Sequence, residues 1–123
     1  LKTGSDRNCC TGEYTMSIFT LPEDRKGTDY YEFYPGKPAS YADLWNPKSL
    51  LLKADSEESL ECMTILMTAV PSFDPYGSTC IDKDIWSIIL EYRNMENSSL
   101  YEEWIPWAEN ALETYGCFTI LGL

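Results

Sequence analysis

Five cysteines, at positions 9, 10, 62, 80 and 117, constrain this chain more than any other feature. None is spaced as C-x-x-C, and the sequence has no histidine, so a structural zinc knuckle has no ligand pattern to build on. Two readings stay open. The cysteines can form a disulfide framework, as in secreted domains, or serve as small apolar groups in a reducing cell. Adjacent Cys9 and Cys10 cannot easily reach disulfide geometry with each other. Each therefore seeks a distant partner, or one stays free, and joining Cys117 to that pair would staple both chain ends. Cys62 and Cys80 complete the set of disulfide candidates, and the odd thiol is open to an intermolecular bridge.

The rest of the composition fits the secreted reading. The chain has 123 residues, the size of one domain spanning 1–123, with a polar segment over 1–8 expected to be flexible. It does not begin with Met, as expected of a mature or trimmed chain. Nine basic against twenty acidic side chains give a formal net charge of −11. Such a surface repels phosphate backbones and anionic lipid, excluding nucleic acid and membrane as partners, and it attracts a basic protein. No apolar run is long enough to span a bilayer.

Periodicity outlines an α+β domain. Alternation of Tyr14, Met16 and Ile18 predicts a strand over 14–21. A charged turn leads to a second strand over 29–34, hairpinned to the first and stopped by Pro35-Gly36. Further strands are predicted over 49–54, 60–70 and 85–92, the second of these central because both its faces are apolar. Between the last two, 72–83 reads as loop. Ser99-Leu100-Tyr101-Glu102 is a capping box. After it, Trp104, Trp107, Ala108, Ala111, Leu112 and Tyr115 recur at helical spacing up to Gly116, with Pro106 inside. A closing strand follows over 117–123. The expected architecture is an antiparallel sheet of five or six strands under one C-terminal amphipathic helix, stapled by disulfides.

Chemistry is narrowly bounded. Without histidine there is no Ser–His or Cys–His nucleophile, and no phosphate loop, HExxH or EF-hand pattern occurs. Glu109 and Glu113 share a helix face, but it is the face opposite the tryptophans, where no burial raises a catalytic acid. No enzyme activity, cofactor or metal is expected. The candidate contact residues are Asp29, Tyr30, Glu32 and Tyr34, where aromatic rings sit beside acids, with Glu57 and Glu58 in an acidic turn. Tyrosine flanked by acids is also a sulfation pattern, and Asn97-Ser98-Ser99 is an N-glycosylation acceptor.

The leading expectation is a secreted, extracellular, acidic, non-catalytic binding protein of effector or immune-modulator type. It would engage a basic partner through an acidic Tyr-rich surface. One alternative is a carrier for a lipid or cationic amine, with an aromatic pocket under the helix. A C-terminal helix followed by a strand is loosely similar to the end of lipocalin-type carriers, although the Gly-x-Trp opening is absent. The other alternative is an intracellular acidic inhibitor or immunity-type protein with reduced thiols.

Overall fold

The computed structural model describes residues 18–40, 44–93 and 98–122. Over these the chain is α+β. Its strands are β1 (Phe19–Thr20), β2 (Tyr30–Pro35), β3 (Leu50–Lys53), β4 (Ser78–Asp82) and β5 (Cys117–Leu121). Its helices are α1 (Glu57–Ala69), α2 (Lys83–Leu90) and α3 (Ser98–Tyr115). The strands form one antiparallel sheet in the order β1-β3-β2-β5-β4.

The expected hairpin between the first two strands does not form. β1 pairs with β3, placing Phe19 opposite Leu52, and β3 separates β1 from β2. The physical reason lies in β3 itself. Leu50, Leu51 and Leu52 are all buried, so this strand is apolar on both faces and takes an interior place with partners on both edges. β5 is equally central, between β2 and β4.

Two segments expected as strands are helices. Over 60–70 the buried positions are Cys62, Met63, Ile65, Leu66 and Ala69, a 3–4 spacing that belongs to a helix face. The Ser56 side chain accepts from the Ser59 amide at 3.0 Å, capping α1, and Glu57 and Glu58 lie where the helix dipole favours acids. The acidic turn is thus the start of a helix. Leu60 and Met67 are the apolar residues that hid the pattern, because they lie on the solvent side, 72 and 61% exposed. The segment 85–92 is mostly α2, capped by Asp82, whose carboxylate accepts from the Ile85 amide at 2.9 Å. The loop expected over 72–83 contains β4, whose Thr79 and Ile81 are buried between exposed Ser78 and Asp82.

Where one helix was expected, the described residues form three α-helices. α3 begins at Ser98, just ahead of the predicted cap, and runs through Pro106 to Tyr115. It stops at Gly116, whose φ of +82° only glycine adopts freely and whose amide donates to the Leu112 carbonyl at 2.8 Å. The predicted first strand survives as β1, and residues 14–17 lie outside the described part of the chain.

One core unites the three helices with one face of the sheet. Tyr31, Phe33, Leu50, Leu52, Phe118 and Ile120 point into it from the strands. Trp104 is its centre: its ring lies 5.0 Å from Trp86, 5.6 Å from Phe33 and 6.5 Å from Phe118, in edge-to-face geometry. Trp107 packs on Phe118 at 5.3 Å and its indole donates to the Lys48 carbonyl at 2.8 Å. The indole N–H groups of Trp86 and Trp104 are buried with no hydrogen-bond partner among the described residues. The T-shaped ring contacts offer them only weak N–H···π attraction.

Candidate functional site

Register dictates which loops meet. β2 and β4 begin at the sheet end where β3 and β5 finish. Asp29 precedes β2, Asp55 follows β3, Glu57 and Glu58 open α1, and Asp74 and Tyr76 precede β4, so acids from separate connections collect at this end. Lys53 Nζ is 3.1 Å from Asp55 Oδ1 and 4.0 Å from Asp29 Oδ2. The hydrogen bond to Asp55, followed by the charges of Asp55 and Asp29, raises the Lys53 pKa.

Tyr76 projects from the same end and is 78% exposed. Its amide donates to Asp74 Oδ1 at 2.9 Å. The turn that carries it is held by the Gly122 amide, which donates to the Gly77 carbonyl at 2.7 Å. Any Cβ on Gly122 would collide with the Pro75 carbonyl, so the close approach depends on glycine. Tyr31 records the grouping from below. Its phenol pKa is raised, first by burial and then by Tyr76 and Asp29. Beside Tyr76 lies a half-open groove of about 610 Å³, lined in part by Pro38, Leu44 and Leu121.

The candidate contact residues are therefore split. Asp29 and Glu57 are exposed and Glu58 is half-buried at this end. Tyr30, Glu32 and Tyr34 are only 6, 3 and 8% exposed, which corrects the expectation of a Tyr-rich surface over 29–34. All of β2 is interior, because a central strand is covered on both faces, and its tyrosines are not presented for sulfation. The Tyr30 hydroxyl accepts from the Lys26 amide at 3.1 Å. The tyrosine exposed beside the acids is Tyr76, which sequence reasoning assigned to an unremarkable loop. The Pro75-Tyr76-Gly77 turn was its only signal.

Glu32 has a different role. Its carboxylate accepts from the Trp45 amide at 2.9 Å, the Asn46 amide at 3.0 Å and Ser49 Oγ at 2.6 Å. Trp45 adopts φ +60°, the one non-glycine residue in the left-handed region among those described. Consecutive amides converge on one anion in this way, and the strain is offset by the bonds it permits. The Arg25 guanidinium stacks over the Trp45 ring at 4.2 Å. Glu32 thus anchors the loop whose Leu44 lines the groove. A second carboxylate clasp, from Glu103, accepts from the Ile18 amide at 3.2 Å and the Phe19 amide at 3.1 Å, tying β1 to α3.

Among the described cysteines, Cys62 is fully buried on the inner face of α1, and burial pushes its thiol far above the ordinary range. Cys80 and Cys117 are partly exposed and neighbour each other; no described cysteine is in a disulfide. Cys9 and Cys10 lie outside the described residues, as does Asn97. Among the described residues no cluster of three or more Cys, Asp or Glu is placed to hold a metal, and no helix is long and apolar enough to cross a membrane. Comparison with family models, curated proteins and solved structures found no match.

Proposed function

We propose that this chain is a secreted, acidic, non-catalytic binding protein that engages a basic partner through the sheet end bearing Asp29, Asp55, Glu57, Glu58, Asp74 and Tyr76. The observation that carries the reading is the exposure of Tyr76 at the same sheet end as these acids, beside a groove lined by both apolar and polar residues. An amphipathic ring at the same surface as a group of charges is a common composition of a protein contact. Lys53 neutralises only part of this group, so its field attracts cations. The fold's contribution is rigidity: α3 serves as the cover of the sheet, and a disulfide closed in an oxidising compartment would add a staple that the described cysteines, all free, do not yet form.

Electrostatic steering predicts that the association rate with a basic partner falls about tenfold or more from low to high salt. Surface capture by a panel of basic extracellular proteins measures it, and a salt-independent rate contradicts the mechanism. A second reading follows from the groove, whose volume lies within the roughly 300–1,000 Å³ of small-ligand sites. A cationic amine held there would be lost on Tyr76→Ala. The space under α3, expected to be the carrier pocket, is filled by Trp104 and its ring partners.

A further inference from the structure

Cys80 and Cys117 are brought together by the sheet. In the β4–β5 ladder Cys80 stands opposite Thr119, and Asp82 opposite Cys117. Alternation puts all four side chains on the sheet face opposite the ring core, with the two cysteines as diagonal neighbours. The two thiols are close enough to influence each other: the Cys117 pKa is raised first by burial and then by Cys80. Both line a shallow depression of about 560 Å³ with Lys37, Asp82 and Tyr115, open enough for a small thiol reagent. Cys62 is on the other side of the sheet, sealed in the core.

We propose that Cys80 and Cys117 are a redox pair that closes into a cross-strand disulfide by exchange with a small disulfide such as glutathione disulfide. One protein thiolate attacks a glutathione sulfur, forming a mixed disulfide and releasing one glutathione. The second protein thiolate then attacks the protein sulfur of that mixed disulfide and releases the other glutathione. Two protein thiols are oxidised to one disulfide, the reagent is reduced to two thiols, and these carry away both protons.

The geometry accommodates the step. Diagonal neighbours in a regular ladder lie about 7–8 Å apart, and a disulfide needs Cα atoms within about 4.4–6.8 Å, so the strands close by roughly 1 Å. Asp82 and Cys117 form the last pair of the ladder, and Gly116, at φ +82°, precedes it. The closure is made at this end of the ladder, across the buried Ile81–Phe118 pair that lies between the two cysteines. The bridge would fasten β4, which among the described strands pairs with β5 alone, at the point where α2 begins and α3 ends.

The pairing stands independently of the secreted reading, since reduced protein from any compartment should close when given the oxidant. The test is equilibration of the reduced full chain with glutathione disulfide, then alkylation under denaturing conditions, intact mass and tryptic mapping. Lys53 and Lys83 bracket both Cys62 and Cys80 in one peptide, so the bridge is assigned in a Cys62→Ala background. A Cys9→Ser/Cys10→Ser variant isolates the pair from the N-terminal cysteines. The expected result is loss of two alkylatable thiols, a link between the 54–83 and 94–123 peptides, and β4 amide exchange slowed about tenfold or more. Two thiols that stay alkylatable, stable glutathione adducts on both, or bridges to Cys9 or Cys10 instead would each overturn it.

Discussion

Replacing Glu32 with alanine tests how the groove is held. The carboxylate is buried and accepts from two backbone amides and one hydroxyl. Hydrogen bonds to a charged acceptor contribute about 1.5–3 kcal/mol each, and a buried donor left unpaired costs about 1–3 kcal/mol. The three are not additive, because a loop freed from its anchor can move out and rehydrate its amides. That escape limits the total to about 3–5 kcal/mol for Glu32→Ala. Glu32→Gln keeps one acceptor but turns an amide donor toward a backbone N–H, for about 1.5–3 kcal/mol. Urea unfolding reads the loss as a lower midpoint at unchanged slope. Native-state hydrogen exchange should show the Trp45 and Asn46 amides losing protection before the strands do, because these donors face Glu32. A Glu32→Ala loss below about 1 kcal/mol, or unchanged exchange at both amides, would refute the anchoring role.

Three other outcomes follow from the geometry. Glu103→Ala should release β1 from α3 at a cost of about 1–3 kcal/mol, seen as faster exchange of the Ile18 and Phe19 amides with β2 unaffected. Trp104→Phe should cost only about 1–2 kcal/mol in chemical denaturation, against about 3–5 kcal/mol for Trp104→Ala, because it removes an unpaired indole N–H along with the lost volume. Cys62 gives a pH dependence. Burial raises its thiol above the ordinary 9.0, so above that pH the unfolded chain releases a proton that the fold retains. Stability then falls with rising pH, by up to about 1.4 kcal/mol per pH unit. Cys62→Ala should flatten the curve from about pH 9 upward, and parallel curves for the two proteins would count against it.

Local signals in the sequence suffice where one rule acts alone. The run before Gly116 is a helix because apolar spacing and the left-handed stop agree, and the strands expected over 49–54 and 117–123 form as Leu50–Lys53 and Cys117–Leu121 because nothing competes with their apolar character. The segment over 60–70 was misread because β-branched and exposed apolar residues, Leu60 and Met67 among them, imitate a buried strand, while the cap that decides the matter lies upstream at Ser56. β4 escaped notice because an edge strand needs burial on one face only, and Pro75 and Gly77 drew attention to the turn before it. The site was legible only as charge. Which acids share an end of the molecule depends on strand order, and that order follows from β3 taking an interior place. The same cause buried Tyr30 and Tyr34 and left Tyr76 as the exposed ring. The Cys80–Cys117 pairing is likewise a product of register, invisible in the spacing of the five cysteines.

The most direct test of the binding account is the association rate of two charge-neutralised variants with a basic extracellular protein captured by the native chain. One carries Asp29→Asn, Asp55→Asn, Glu57→Gln and Glu58→Gln; the other carries Glu102→Gln, Glu109→Gln and Glu113→Gln on α3. The account predicts that the first slows association about tenfold and loses most of the salt dependence, while the second stays within about twofold of the native chain. Equal slowing by both variants would mean that net charge alone attracts the partner, and that the Tyr76 end is not the site.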